Sequence, residues 1–430
     1  MSKSKNDIAW EKLFDKYDII SNIEKNGKFE ISAKEINEVR EARLMTKFDH
    51  KVNLPKIFAD NKLSILPITR GNYVISKFEV YSKFENINPE IIRVQFPEHI
   101  TSIDYENITS EAIAINCAYV SGIIHDFVED EELLPTISGR MSSDLFNFKI
   151  RNVVTKNDMH IEVINSQIEI DGGYEGLETL CLIEAKNSIS DDFIIRQLYY
   201  PYRLWSDKIN KKVKPIFMIY SNGIYNLFEY EFKDKENYNS LVLVKQKNYT
   251  IENIDIEIKD IIEIFNNTEI VDEPQIPFPQ ANSFTRVINL CELLYKKEMT
   301  KEEITVNYDF NPRQTNYYTD AGRYLGLIDK KRGQGGVNFF LTPEGRNIFK
   351  LRYRERQLKY VELIFRHKAF RECFKECLEC SEIPTMNEVV KIMEESNLYK
   401  VEAVNTYKRR ASTVTGWVNW IIELTKIIAN

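Results

Sequence analysis

Two apolar runs between Gln167 and Lys186 each end in charge. Gln167-Ile-Glu-Ile-Asp171 alternates apolar with polar, whereas Thr179-Leu-Cys-Leu-Ile-Glu-Ala-Lys186 is almost unbroken. The first pattern reads as a strand with one solvated face and the second as a strand buried in a sheet. Side chains at i and i+2 of a strand share a face, so Glu184 and Lys186 are expected to project together while Ala185 turns into the fold. Gly172-Gly173 reads as a tight turn forming a hairpin that sets Asp171 beside them. Two carboxylates and an ammonium at one sheet edge suit one or two hard divalent cations with a water between them, the ingredients of phosphodiester hydrolysis.

The flanking residues supply further elements. Ser110 to Phe127 has helical spacing and carries Glu111, Met159 to Ile164 alternates as a strand, and Asp191 to Lys208 reads as a helix capped by Ser190 or Asp191. Asn222-Gly223 marks a hairpin between Lys214–Ser221 and Ile224–Phe232, and Leu241 to Lys245 reads as an edge strand.

This order, a helix, three strands with acids on the second and third, a helix and more strands, resembles the PD-(D/E)XK nuclease fold over roughly residues 105 to 245. QIEIDGGYEG and IEAKN, with TISGRMSSDLFNF before them and RQLYYPYR after, are similar to type II restriction endonucleases carrying helix-turn-helix segments. Ile170 stands where that pattern has proline. The resemblance implies a type II site-specific deoxyribonuclease of a restriction-modification defence system, cutting double-stranded DNA with Mg²⁺ to leave a 3′-hydroxyl and a 5′-phosphate. It implies Asp171 and Glu184 as metal ligands with the Ala185 carbonyl, Lys186 as the residue that orients the attacking water, Glu111 as an accessory acid and Gln197 as a helix residue aimed at the site. Glu169 and Glu175 are reserve ligands. A cognate methyltransferase is implied functionally, and a homodimer is compatible with the pattern. The rival readings are a repair or structure-specific nuclease of the same fold and a DNA-binding regulator with an inactive core.

Composition bounds the rest. A chain of 430 residues is expected to hold two or three domains, and 43% hydrophobic residues suffice for packed cores. The amino terminus is polar and no apolar run reaches the length of a membrane span or signal core, so a soluble cytoplasmic protein without a membrane partner is expected. Six cysteines in so long a chain suggest reduced thiols. The net charge of −7 disfavours nucleic acid at first sight, but Phe284 to Asn430 holds 25 Lys+Arg against 19 Asp+Glu, which leaves −13 for Met1 to Ser283. A basic carboxy-terminal third on an acidic remainder suits a DNA-reading module joined to a metal-binding one.

The proline-rich stretch Asp272 to Phe284 reads as a linker. The expected architecture is therefore an α+β amino-terminal domain over residues 1–100, with DNA contact open to Arg40, Arg43 and Lys47, then an α/β nuclease core over 101–270. A mainly α region follows, with a winged helix-turn-helix over 283–350 and a second helical unit over 351–430. Within it, Ser283 to Tyr295, Thr300 to Val306 and Arg313 to Leu325 read as three helices, and Ile328 to Thr342 as a β-wing with a basic glycine-rich tip. Arg313, Gln314, Asn316 and Tyr317 fall at the amino end of the third helix, where side chains meet base edges, and Lys330, Lys331 and Arg332 where a wing meets phosphates. Lys408, Arg409 and Arg410 give the last long helix, Val401 to Thr425, a basic amino end. Arg140, in a polar loop Gly139 to Ser143, is a further candidate for phosphate or guanine. Cys373, Cys377 and Cys380 fall at helical spacing on Arg352 to Leu378, which is a core stripe rather than a zinc knuckle.

Overall fold

The apolar run Thr179–Lys186 lies inside a seven-stranded mixed sheet. Gln167–Glu175 runs antiparallel on one side of it and Lys212–Ser221 parallel on the other. In order across the sheet the strands are Ile91–Arg93, Leu241–Thr250, Ile224–Phe232, Lys212–Ser221, Thr179–Lys186, Gln167–Glu175 and Leu134–Ser142. Both faces of the central strand are covered. Cys181, Ile183 and Ala185 pack with Ala114, Ile115 and Cys117 of helix Glu111–Val120, while Leu180 and Leu182 turn toward Tyr202 and Trp205 of helix Arg196–Lys208. That two-sided burial is why the run is apolar at nearly every position. This computed structural model describes residues 4–85, 90–130, 132–333 and 336–426. The fold is mixed α/β, and among those residues no helix is long and apolar enough to cross a membrane.

Several elements differ from expectation. Gly172-Gly173 is not a turn, because the strand runs on to Glu175. The glycines are there for close approach: a Cβ on Gly173 would stand 2.8 Å from Ile137 Cβ on the neighbouring strand. The chain reverses instead at residues 176–178, where the Asp130 carboxylate accepts the N–H groups of Leu177, Glu178 and Thr179. Met159 belongs to Asp158–Ile164, which pairs with Leu145–Arg151 as a separate ribbon, so the outer neighbour of the Asp171 strand is Leu134–Ser142. Gly122, at φ +81°, divides the first core helix into Glu111–Val120 and Ile123–Val128. The later helix starts at Arg196, not Asp191; Asp192–Ile194 is a short strand on Tyr81–Lys83, and Asp191 N–H donates to Asp309 Oδ2 at 2.7 Å. Leu241–Thr250 is longer than expected and Ile91–Arg93 covers its outer side.

The amino-terminal segment has its own core, built from Trp10, Leu13, Phe14, Phe58 and Ile75 among others. Ser32 and Glu35 form a capping box that opens the short helix Ala33–Asn37, and the chain re-enters helix at Ala42–Met45. Arg40 is engaged by Glu302 at 2.9 Å, which ties this segment to the carboxy-terminal part.

The carboxy-terminal core extends back to Ile256 and includes helix Ile258–Asn267. The proline-rich segment lies on that core, with Phe278 and Ala281 buried and the Ala281 carbonyl accepting from Trp417 Nε1 at 2.7 Å. Helices Phe284–Lys296, Lys301–Asn307 and Pro312–Tyr324 are followed by the hairpin of Ile328–Gly333 with Gly336–Leu341, to which Met299–Thr300 adds a short third strand. The expected wing tip at Gln334 and Gly335 lies outside the described residues, as do Met1 to Lys3. Arg352 to Leu378 is two helices, Tyr353–Phe365 and Lys368–Cys380, and the last long helix is Val404–Leu424. All six cysteines are free; Cys373 and Cys377 are buried with Phe370 and Phe374, and Cys380 is exposed.

Candidate active site

Asp171 lies one register step beyond the Gly172–Ile183 pair, which sets it opposite Glu184 on the adjacent antiparallel strand. Its Oδ2 accepts the Ala185 N–H at 2.8 Å, so one carboxylate oxygen is anchored to the neighbouring backbone. Glu184 and Lys186 share the opposite face from Ala185, as the strand period requires, and they are ion-paired with side chains only 10% and 20% exposed. Lys186 Nζ also donates to the Ala185 carbonyl at 3.2 Å. From the helix on that face, Gln197 Nε2 donates to Glu184 Oε1 at 2.6 Å.

The buried charges of this cluster act on one another. Burial pushes the Glu184 carboxyl up to about 7; Lys186 pulls it down, but Asp171 and Asp49 push it further up. Burial also disfavours the Lys186 ammonium, yet Glu184, Glu111, Asp49 and Asp171 outweigh it and hold that amine protonated. Lys186 keeps its proton and pairs with Glu184, while Asp49 is also paired with Lys47 at 3.6 Å and Glu111 lies within electrostatic reach of Lys296. A carboxyl raised by burial is stabilised in its ionised form by a cation bound beside it.

Glu111 heads helix Glu111–Val120, which Ser110 caps by accepting the Ile113 N–H at 3.1 Å. Its own N–H donates at 3.2 Å to the side-chain oxygen of Asn187, in the amide orientation that satisfies both neighbours, and the same oxygen accepts from Lys296 Nζ at 2.8 Å. Glu169 is exposed and pairs with Arg140 at 3.3 Å. Arg140 therefore lies on the strand Leu134–Ser142 opposite Glu169, not in a loop. Glu175 is turned to Lys211 at 2.7 Å, four residues along the strand from Asp171, and takes no part in the cluster. Tyr199 and Tyr200 are buried packing residues whose hydroxyls donate to the carbonyls of Lys235 and Pro67.

Sequence reasoning missed Asp49 and His50, which come from the amino-terminal segment. His50 is one of only five histidines and follows an aspartate, the one signal that could have drawn attention to it. His50, Asp192 and Asp309 bring ligand-type atoms within 4.8 Å of one another. Arg286 already lies among these acids, 3.2 Å from Asp309 and 2.9 Å from Asp191. Burial opposes the His50 charge, but its hydrogen bonds to Asp192 and the nearby Asp309 raise its affinity for a proton. The group is a charge network joining three parts of the chain, and Asp49 acts electrostatically both on His50 and on Glu184 and Lys186.

The basic residues of the carboxy-terminal part lie as follows. Arg313 and Asn316 are exposed on the first turns of Pro312–Tyr324, and the Arg313 guanidinium lies over the Tyr317 ring at 5.3 Å. Gln314 serves the helix itself, since its Oε1 accepts the Asn311 N–H at 3.0 Å in a capping box. Lys330, Lys331 and Arg332 are exposed on Ile328–Gly333, with Lys331 paired to Glu298 at 2.7 Å. Lys408 and Arg409 are exposed in the second turn of Val404–Leu424. Arg410 is half-buried, within electrostatic reach of Tyr317 and Asp320, so the last helix presents its basic residues beside Pro312–Tyr324.

Three family models match the chain in series. Each is described as a domain of unknown function: DUF6996 over residues 7–75, DUF6997 over 76–250 and DUF7226 over 286–426. Neither a curated protein nor a solved structure matches the chain. Asp171, Glu184, Lys186, Glu111 and Gln197 all fall within the 76–250 match, whereas Asp49 and His50 belong to the first and Asp309 and Arg286 to the last.

Proposed function

We propose that this protein is a Mg²⁺-dependent endonuclease that hydrolyses double-stranded DNA at chosen sites, with a PD-(D/E)XK core and a winged helix-turn-helix reader. The observation that carries the reading is the facing of Asp171 and Glu184 on adjacent strands, with Lys186 paired to Glu184 and Gln197 hydrogen-bonded to it. The donor set fits a hard divalent cation: two carboxylates, each with one oxygen not engaged by the bonds described, in a cluster where burial raises Glu184. Asp171, Glu184 and the Ala185 carbonyl are the residues that would hold Mg²⁺, which supplies Lewis-acid activation of the phosphate and lowers the pKa of a bound water.

The chain's own residues account for the rest. Lys186 keeps its proton and so orients the attacking water and offsets the charge that builds on the pentavalent phosphorus. Water adds to phosphorus, the bond to the 3′ oxygen breaks, and the products are a 3′-hydroxyl and a 5′-phosphate. Gln197 fixes the carboxylate plane of Glu184. Helices Lys301–Asn307 and Pro312–Tyr324 serve as the helix-turn-helix, the hairpin after them as the wing, and Arg313, Asn316 and Tyr317 as candidates for base edges. Lys330, Arg332, Lys408 and Arg409 suit phosphates.

The test is digestion of one plasmid with and without Mg²⁺. Discrete fragments that appear with Mg²⁺ and vanish in Asp171→Ala are the expected result. Random nicking would instead favour a repair or structure-specific nuclease, and site-specific binding without any cutting would favour a regulator with an inactive core.

A further inference from the structure

Asn289 is 1% exposed on helix Phe284–Lys296, yet its amide serves the nuclease core more than its own. Its Oδ1 accepts the Ile189 N–H at 3.1 Å, and its Nδ2 donates to the Asn187 carbonyl at 2.9 Å and to Ser221 Oγ at 3.0 Å. Glu292 Oε2 also lies within 3.0 Å of this nitrogen and shares one of its two N–H groups. These bonds bracket Ser188, two residues beyond Lys186. The same side of the helix repeats the grip at either end, through Arg286 on Asp191 at 2.9 Å and Lys296 on the Asn187 side chain at 2.8 Å. Glu292 completes it, accepting from Ser221 Oγ and the Asn222 N–H, each at 2.7 Å.

Helix Phe284–Lys296 is equally committed to the opposite partner. Val287, Leu290, Cys291 and Leu294 share one core with Tyr318, Ala321 and Tyr324 of helix Pro312–Tyr324, whose amino end exposes Arg313. A buried amide carries a large cost unless each of its groups is bonded, and a satisfied polar network specifies one geometry where apolar packing would permit sliding. The backbone leaving the Glu184–Lys186 strand is thus held in one register by a helix packed in the same core as Pro312–Tyr324.

We propose that Asn289 is a positioning residue: it sets the Asn187–Ile189 backbone so that Lys186 and Glu184 keep their register, and so makes cleavage depend on how the carboxy-terminal helices sit on DNA. The proposal rests on the nuclease reading above. It is tested in the full chain by single-turnover cleavage at saturating DNA, DNA affinity in Ca²⁺, and the pH–rate profile, for Asn289→Ala and Leu290→Ala. Leu290 lies on the same helix but faces its own core, and controls for lost stability.

Asn289→Ala is expected to slow cleavage by about 10- to 100-fold, the usual size for loss of a residue supporting a metal site, to leave affinity within about threefold, and to displace the pH–rate profile. Leu290→Ala is expected to lower the melting temperature with cleavage within about threefold of wild type. Asn289→Asp keeps the side chain's size and its acceptor for Ile189 but loses the donors; it is read in the same way should the alanine variant not fold. Cleavage by the Asn289 variants within threefold of wild type overturns the proposal, as does a parallel fall of rate and affinity with the pH profile unmoved. If wild type cuts and Asp171→Ala does not, that failure touches the positioning role alone. If wild type fails to cut with either Mg²⁺ or Mn²⁺, the nuclease reading and the positioning role fall together.

Discussion

Gln197 reaches across from the helix Arg196–Lys208 and donates its side-chain N–H to Glu184 Oε1 at 2.6 Å. The bond is made to the oxygen that also faces Lys186, so the other oxygen of Glu184 takes no part in either contact. Removing it should loosen the carboxylate without removing charge. Gln197→Ala is expected to lower the cleavage rate by about 10- to 100-fold and to raise the Mg²⁺ concentration at half-maximal rate. A Mg²⁺ titration of single-turnover cleavage checks this, and an unchanged half-saturation point would sink the role given to Gln197.

Asp171, Glu184 and Lys186 should each be indispensable to cutting and dispensable to binding. Substitution by alanine removes one member of a mutually dependent cluster and is expected to cost on the order of a thousandfold or more in rate. Specific DNA binding in Ca²⁺, followed by gel shift, should survive in all three variants. Near wild-type cutting by Lys186→Ala would falsify the site assignment.

The raised carboxyl of Glu184 predicts a pH dependence of stability in metal-free protein. Its affinity for a proton moves from the ordinary 4.5 to about 7 on folding, so between those values the folded chain binds a proton that the unfolded chain has released. The contribution of this group is therefore full below about pH 4.5 and is lost as pH rises through about 7. Glu184→Gln should raise the melting temperature at pH 8 and change it little at pH 4.5, and Mg²⁺ should stabilise wild type more at pH 8 than at pH 6. Calorimetry at these pH values decides it. Equal destabilisation by Glu184→Gln at pH 4.5 and 8 would mean that the ion pair with Lys186 outweighs burial.

Base reading and phosphate contact should fail differently. Arg313→Ala is expected to relax discrimination at particular base pairs, by roughly 1–3 kcal/mol. Neutralising Lys330 and Arg332 should weaken binding to every sequence and flatten the salt dependence by about one unit of slope for each lost phosphate contact. Gln314→Ala should act mainly on folding, because Gln314 closes the capping box with Asn311, and a loss of about 1 kcal/mol in stability is expected. Competition binding against single-base variants and a salt titration separate the three. Uniform loss across all sequences for Arg313→Ala would remove it from base readout.

What the sequence alone determined is what each segment could settle with its own neighbours. The strand character of Gln167–Asp171 and Thr179–Lys186, the shared face of Glu184 and Lys186, the hairpin at Asn222-Gly223, the capped helix at Thr300 and the capping boxes at Ser32 and Thr385 all follow from side-chain period or from hydrogen bonds spanning two to four residues. Only the tertiary structure decided which strand lies beside which, and why. Gly172 and Gly173 carry the composition of a turn, but their missing side chains are used by Ile115 and Ile137, some 35 and more residues earlier in the chain. Asp191 has the composition of a helix cap, but Asp309 takes its N–H. Asp49 and His50 are held against the strand Asp192–Ile194 by the Asp192 carbonyl and the Ile194 N–H. Asn289 is read in sequence as one polar residue in an apolar helix, and it is bonded to a strand end about a hundred residues away. Local pattern carries the period of a segment, whereas burial and the pairing of polar groups depend on partners that only the folded chain brings within reach.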